Sequence, residues 1–342
     1  MIPVEMCNRL LLTSPALHIV PPDVPASGAD LMPQRTDSFG QGLLEILHDA
    51  IGLIRPDLQE ALVVCASLIG VVILVSICSS IPGFSCRTTD LIGAATITIL
   101  LFQSSRSLIR LAASTITEIT EYGKLLLPVM TTALAAQGGV ASSAALYSGT
   151  MIFLTALGKM MTGLLLPLVY IYMGVAVANS VLEETTISSL RNSIKGASVW
   201  MLKTILYIFT GYMAITGVVS GTTDASALKA AKLTISSAVP IVGGIISDAS
   251  EAILVSAGML KNAAGIYGML AAMAVWLGPF LKIGTHYLLL KGTGFVCEVF
   301  GNKKLTALIQ DFSSGMGLLL AMTGTVCLLL LISVICFLKG GG

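Results

Sequence analysis

The sequence predicts an all-α, polytopic helical membrane protein with about five to eight membrane segments, some of them broken or re-entrant. Three observations predict this class. Hydrophobic residues make up 55% of the 342 residues, and only 11% are charged, against roughly 25% in an ordinary soluble domain. The mean hydropathy is +0.91. Long stretches also carry no charge, and a helix that spans a bilayer needs roughly 20 apolar residues.

The chain begins with a region that we expect to lie outside the bilayer. Residues 1–38 are predicted to be a flexible tail that contains several prolines. Residues 39–60 are predicted to form an amphipathic helix, interrupted near Pro56. Its apolar residues recur at helical spacing: Leu43, Leu44, Leu47, Ile51 and Ile54. Residues 61–342 form the predicted helical membrane domain.

The charges are unevenly distributed along the chain. The first 60 residues carry a net charge of −5, and the remaining 282 carry +6. Lysine and arginine excess tends to stay in the cytoplasm, so we expect the N-terminal tail on the non-cytoplasmic side. No signal peptide is recognisable, because Leu10-Leu11-Leu12 is too brief for its apolar core. We therefore expect the first membrane helix, or a longer precursor, to export the tail.

Six charge-free runs mark the predicted crossings. They are Ala61–Cys86, Leu125–Gly158, Met160–Leu182, Thr204–Thr223, Asn262–Leu281 and Phe312–Leu338. Five of them are 20 to 27 residues long, and each predicts one crossing. The run from Leu125 to Gly158 has 34 residues and contains both a proline and a glycine pair, so it predicts one tilted crossing or a bent pair.

Two shorter runs, Leu91–Ser105 and Leu233–Ser247, have fifteen residues each and predict short spans or re-entrant segments. Proline removes a backbone donor and paired glycines loosen a helix. Broken backbone persists in lipid only where protein buries it or where it lines a water-filled cavity. The predicted pore-facing, gating or helix-breaking positions are therefore Pro128, Gly138, Gly139, Pro240, Gly243 and Gly244.

Two acids follow the second short run. Asp248 and Glu251 are three residues apart and so lie on one helix face. Acids at membrane depth are costly and are usually functional, which makes this pair a candidate for a polar pathway. The alternative, which we favour, is an interfacial position where their charge costs little.

A further amphipathic stretch lies between charge-free runs. Five charged residues fall within a 120° arc of a helical wheel: Arg106, Arg110, Glu118, Glu121 and Lys124. This pattern is typical of a helix that lies at the membrane interface or extends beyond the membrane. A solvated face with no partner is the alternative interpretation.

The sequence contains no recognisable catalytic or metal-binding pattern. It has no HExxH, GxSxG or GxxxxGK[ST] motif, and its histidines are His18, His48 and His286. Seven cysteines occur without a CxxC pair. We therefore predict that the chain is not an enzyme and has no catalytic residue, cofactor site or metal site. The net charge of +1 argues against a nucleic-acid partner.

Three stretches of the chain carry a resemblance to a known family. They are Leu31–Gly40 ahead of Ile54–Asp57, Leu126–Gly139 (LLPVMTTALAAQGG), and Lys232–Ala249 followed by Leu260–Gly265. Their order and spacing resemble the stage III sporulation protein AE family, from about residue 30 to the C-terminus. Members of this family commonly begin with a signal peptide, and no catalytic residues are established for them.

The resemblance implies a polytopic membrane protein made in the mother cell of an endospore-forming bacterium. It implies a place in the membrane that engulfs the forespore, in a secretion-like complex that joins the two cells. The implied partners are membrane lipid, an ATPase, other small membrane proteins and ring-forming proteins. The expected function is that of a permease-like or scaffold subunit of this channel. The alternatives are a stand-alone secondary transporter of a small solute and a purely structural assembly platform.

Overall fold

The structure, a computed structural model, describes residues 23–33, 38–81, 86–182, 185–238, 243–300 and 302–339, without the side chains of 86–87, 217–257 and 260. The helices of this part of the chain are α1 (Ala26–Ala29), α2 (Phe39–Leu53), α3 (Arg55–Ser79), α4 (Cys86–Ala136), α5 (Val140–Met160), α6 (Leu166–Leu182), α7 (Thr185–Ala238), α8 (Gly243–Glu298) and α9 (Lys303–Lys339). A π-helical turn, Met161–Leu165, joins α5 to α6.

The predicted all-α membrane fold is confirmed: 94% of the described residues are helical, and none of them forms a strand. Six helical stretches are long and apolar enough to cross a membrane. They are Arg55–Ser79, Thr88–Ala136, Val140–Leu182, Thr185–Thr216, Lys261–Glu298 and Lys303–Lys339. The chain is therefore an integral membrane protein.

Helix α9 occupies the centre of the bundle. Phe312, Leu319, Leu330 and Phe337 on this helix are all fully buried. Neighbouring helices cover most of α9, so its 27-residue charge-free run from Phe312 to Leu338 supplies much of the core, while Leu328 and Ile335 of that run remain exposed.

The neighbours of α9 run up and down around it. Helix α4 is parallel to α9, since Phe102 stacks edge-to-face on Phe312 with ring centroids 5.4 Å apart and Gly123 faces Leu330 further along. Helix α8 is antiparallel to α9. The Ser313 hydroxyl donates to the Tyr287 carbonyl at 3.1 Å, whereas the far end of α9 contacts the earlier part of α8.

The N-terminal region packs along one side of α8. Helix α2 begins after Ser38, whose hydroxyl accepts the Gln41 amide at 3.3 Å. The chain bends at Ile54, and Pro56 lies in the first turn of α3, where its missing amide hydrogen costs no helical bond. The interruption predicted near Pro56 therefore falls at the junction of two helices.

The buried face of α2 differs from the predicted one. Ile46 and Ala50 are buried against α8, whereas Leu44 and Ile51, which the sequence pattern assigned to the apolar stripe, are 68% and 56% exposed. Ala50 of α2 and Ala274 of α8 belong to the same buried cluster. Their short side chains allow the two helices to lie close together on this face. Leu44 and Ile51 are left on the outer surface.

Three charge-free runs of ambiguous length can be compared with the observed helices. Leu91–Ser105 is not a separate segment, because α4 continues through it to Ala136. Leu125–Gly158 is a bent pair, since α4 ends at Ala136 and α5 begins at Val140. In the run Leu233–Ser247, α7 ends at Ala238 and α8 begins at Gly243, and the four residues between them lie outside the described residues.

Candidate functional site

The turn between α4 and α5 contains two of the predicted helix-breaking positions. Gly138 has a φ of 91°, in the left-handed region where a Cβ atom is strained. Both Gln137 and Gly139 donate their amides to the Leu134 carbonyl, at 3.1 and 3.2 Å, which closes the end of α4. The Gly139 carbonyl then accepts the Ser143 amide at 2.8 Å and starts α5.

Close packing explains the second glycine. A Cβ atom at Gly139 would lie 3.0 Å from Leu134 Cδ1 and 3.2 Å from the Leu134 carbonyl oxygen. The side-chain Nε2 atom of Gln137 lies 2.6 Å from the position that a Cβ atom would take at Gly258. The α4–α5 turn is therefore compact and rests directly against the backbone of α8.

Pro128, predicted at a helix break, does not break the helix. It lies inside α4, which continues for eight more residues to Ala136, and its own ring is exposed. The fully buried side chains of Leu126, Leu127 and Met130 hold the helix on both sides of the proline. Tertiary packing thus outweighs the one lost hydrogen bond, and the break occurs at the glycines.

The second candidate segment is only partly described. Pro240 lies outside the described residues, and Gly243 and Gly244 form the first turn of α8. Asp248 and Glu251 lie further along that helix, with side chains outside the described part of the structure. The contact of Gln137 with Gly258 brings the first candidate turn against α8, the same helix on which these acids lie.

A partly buried ion pair that sequence reasoning did not single out joins three helices. The Arg191 guanidinium on α7 lies 2.7 Å from the Asp311 carboxylate on α9. The Tyr172 hydroxyl on α6 donates to the same carboxylate at 3.4 Å. One turn further, Lys195 Nζ donates to the Ser314 hydroxyl at 3.1 Å.

This ion-pair cluster borders a cavity at the end of the bundle. The cavity has a volume of about 270 Å³, and Asp311 forms part of its wall. The rest of its polar lining comes from two lysines, Lys303 and Lys304, and from four hydroxyl or amide side chains, Asn179, Ser180, Thr185 and Ser188. The only sequence signal for this site was the position of Asp311 directly before the charge-free run of α9.

Two further ion pairs join elements that are far apart in sequence. Lys282 on α8 lies 2.6 Å from Asp57 at the start of α3. The Asp90 carboxylate on α4 lies 3.2 Å from Lys304 Nζ and accepts a hydrogen bond from the Asn302 side-chain amide at 3.0 Å, and both partners lie at the start of α9. Charges within membrane segments are retained at a cost and are usually paired, so these contacts fix how the helices associate.

Within the described residues, no group of three or more histidine, cysteine, aspartate or glutamate side chains is placed to hold a metal ion. The irregular and charged positions of the described bundle are therefore a helix-breaking glycine turn and paired charges among membrane helices. Such features define a class: a polytopic membrane protein whose bundle contains polar and irregular backbone positions rather than a simple hydrophobic anchor.

The chain belongs to the stage III sporulation protein AE family, because the sequence model of that family matches residues 41–341. It is similar to stage III sporulation protein AE of Bacillus subtilis (strain 168), with 21% identity over 243 residues. That match covers 71% of this chain and 61% of the relative, so the chain spans about three fifths of the relative's length. No solved structure matches the chain.

Proposed function

We propose that the protein is a permease-like or scaffold membrane subunit of the secretion-like channel that joins mother cell and forespore during endospore formation. Its membership of a stage III sporulation family supports a role at this stage of development. Its six membrane-crossing stretches support residence in a membrane, which we place in the mother-cell membrane around the forespore with the N-terminal tail outside the cytoplasm.

The observation that carries the channel role is the glycine turn inside a 34-residue charge-free stretch. An uninterrupted helix would cross the membrane with all its backbone groups hydrogen-bonded within the helix. This turn instead leaves backbone N–H and C=O groups that need protein or water around them. Gly138 and Gly139, with Gly243 and Gly244 at the start of α8, are the proposed gating positions. The acids Asp248 and Glu251 would extend a polar path along α8.

The proposed partners are membrane lipid, an ATPase, other small membrane proteins and ring-forming proteins between the two membranes. Co-purification of the tagged chain from sporulating cells tests this assembly. Recovery of an ATPase together with ring-forming proteins supports the proposal. Recovery of the chain alone, under conditions that keep the membrane complex intact, contradicts it.

Bulky substitutions test the gating role. Gly139→Leu places a side chain where Leu134 already packs, so we expect forespore development to fail while the protein still inserts into the membrane. Gly243→Leu with Gly244→Leu should act in the same way. Gly174→Leu is the matched control, because nothing lies within 4 Å of a Cβ atom at that exposed position. Normal spore yield from both gating variants would refute the role.

A stand-alone secondary transporter is the second candidate function. The Arg191–Asp311 pair beside a cavity of about 270 Å³ favours it, because buried charge pairs next to polar cavities mark solute pathways in transporters. This function predicts that the isolated protein moves a small solute in liposomes. The channel function predicts that it needs its partner subunits, so reconstitution with and without them separates the two candidates.

A further inference from the structure

One face of α4 is polar over most of the length of a bilayer. We call it the α4 polar face, and its members are Gln103, Arg106, Ser107, Arg110, Ser114, Thr117, Glu118, Glu121 and Lys124. Most of these side chains are exposed, and the rest are half-buried. From Gln103 to Lys124 the helix rises about 30 Å. On the same helix, Ile99 and Leu125 at the two ends are again apolar and exposed.

The α4 polar face lies at the height of the most apolar part of the bundle. The opposite side of α4 contacts Phe312 at the start of the face and Leu330 near its end. Both residues belong to the charge-free run of α9. The polar face therefore lies alongside the stretch of α9 that is most suited to a bilayer.

Beyond Lys159, the neighbouring surface at this height carries large exposed apolar side chains. Gly158 of α5 contacts Thr120, and Met173 of α6 contacts Gly315 of α9, so the residues between them lie level with the α4 polar face. Leu164 and Ile171 in this interval are exposed. The bundle thus presents a lipid-compatible surface beside a charged one, and a charged surface is strongly disfavoured in lipid.

The chain also places irregular backbone beside the polar face. The Ser27 hydroxyl donates to the Glu118 carboxylate, and Gly28 packs so closely that a Cβ atom there would lie 2.7 Å from the Val275 amide nitrogen. Residues 30–33 next to it are not helical. Because lipid excludes such backbone, this side of the bundle meets protein or water.

The two edges of the face carry opposite charges at the same height. One edge adjoins α5, where Lys159 directly follows the Gly158 that contacts Thr120. The other edge carries Glu118 beside the N-terminal segment, and Glu121 lies between the edges. Copies inserted in the same orientation meet at equal heights, so the lysine edge of one copy would face the glutamate edge of the next.

We propose that several copies of this chain form a closed ring that encloses a water-filled space lined by the α4 polar face. Lys159 of each copy meets Glu118, on the opposite edge of the face, in its neighbour. Such a head-to-tail contact closes into a ring when its rotation divides a full turn. The ring rests on the proposed channel function, for which it supplies the wall of the conduit and a path for polar solutes.

Cross-linking between copies tests the contact. Two differently tagged chains, one with Glu118→Cys and one with Lys159→Cys, are co-expressed and exposed in native membranes to a short thiol cross-linker. We expect a product that carries both tags. Replacing Lys159→Cys by Leu164→Cys is the matched control, because that exposed residue lies at a similar height on the lipid-facing surface, and it should give no such product. Equal yields from both pairs, or none from either, overturn the ring.

Water access is measured separately. Ser114→Cys should react with a membrane-impermeant charged thiol reagent, whereas Leu164→Cys at the same height should not, with the unsubstituted chain as baseline. Reaction at neither position shows that lipid or protein covers the face. Reaction at both shows that this height lies outside the bilayer. Either result overturns the proposal.

The mass of the unsubstituted protein in lipid nanodiscs tests the ring without any substitution that could itself disturb folding. The ring predicts one particle of several chains, and a particle with a single chain overturns it. A single chain that still recovers an ATPase and ring-forming proteins from sporulating cells refutes the ring alone. Loss of those partners refutes the channel function as well.

Discussion

Arg191 and Asp311 form a 2.7 Å ion pair that ties α7 to α9 at the edge of the buried core. Their side chains are only 19% and 12% exposed. Tyr172 donates to the same carboxylate, so three helices meet at one acid. The two charged residues are 120 positions apart, and each would be costly at this depth without the other.

Removing one partner of this pair should destabilise the protein more than removing both. Asp311→Asn leaves the Arg191 charge without its counter-ion, and we expect a loss of about 3 kcal/mol in unfolding free energy. The double variant Arg191→Met with Asp311→Leu should recover most of that loss. Reversible denaturation in mixed micelles measures both, with Ser193→Ala on the exposed side of α7 as control. Equal losses in the single and double variants would contradict this account.

Alanine at two glycines should have opposite effects. Gly138→Ala puts a Cβ atom at a φ of 91° and should cost about 1–2 kcal/mol. Gly174→Ala lies within α6 with nothing within 4 Å of its new Cβ atom, so better helix propensity should stabilise the protein by up to about 1 kcal/mol. Thermal unfolding of the purified variants gives both signs. A stabilised Gly138→Ala variant would show that the turn is not left-handed.

Gly149 should tolerate no larger side chain. A Cβ atom there would overlap the ring of Tyr212 on α7, whose hydroxyl donates to the Ala145 carbonyl at 3.0 Å. Gly149→Val should separate α5 from α7, which a lowered unfolding temperature and faster proteolysis would show. Tyr212→Phe removes only the hydrogen bond and should cost about 1 kcal/mol. Similar losses in the two variants would mean that the close approach is unimportant.

Pro128 should be dispensable for the shape of α4. Pro128→Ala restores a backbone donor in a helix that is already continuous, so unfolding free energy should rise, by up to about 3 kcal/mol. Spore yield should stay normal. Gly139→Leu, measured in parallel, provides the contrast in spore yield. Lower stability in Pro128→Ala would indicate that the proline ring makes a contact the helix needs.

The docking of α2 should depend on one face of the helix. Ile46 is fully buried against α8, and Leu44 on the same helix is 68% exposed. Ile46→Ala should weaken the docking by about 2–4 kcal/mol, whereas Leu44→Ala should leave it nearly unchanged. Hydrogen exchange of the α2 amides reports the difference directly. Matching exchange rates in the two variants would contradict the buried face described above.

Local features of the sequence predicted the membrane class well, because charge-free runs of bilayer length are properties of consecutive residues. The glycine pair in the 34-residue run marked the end of α4 for the same reason: backbone strain acts within a few residues. The break predicted at Pro128 does not occur, because whether a proline breaks a helix depends on the packing around it, here that of Leu127 and Met130.

The sequence by itself determined a helical membrane protein, its charge-free segments, its family and the position of the Gly138 turn. Only the tertiary structure decided which distant residues meet. The pairs Arg191–Asp311 and Asp57–Lys282 join helices through contacts that no local pattern encodes. The physical reason is that periodicity specifies which side of a helix is apolar, whereas the partner of each charge depends on how the helices pack around α9.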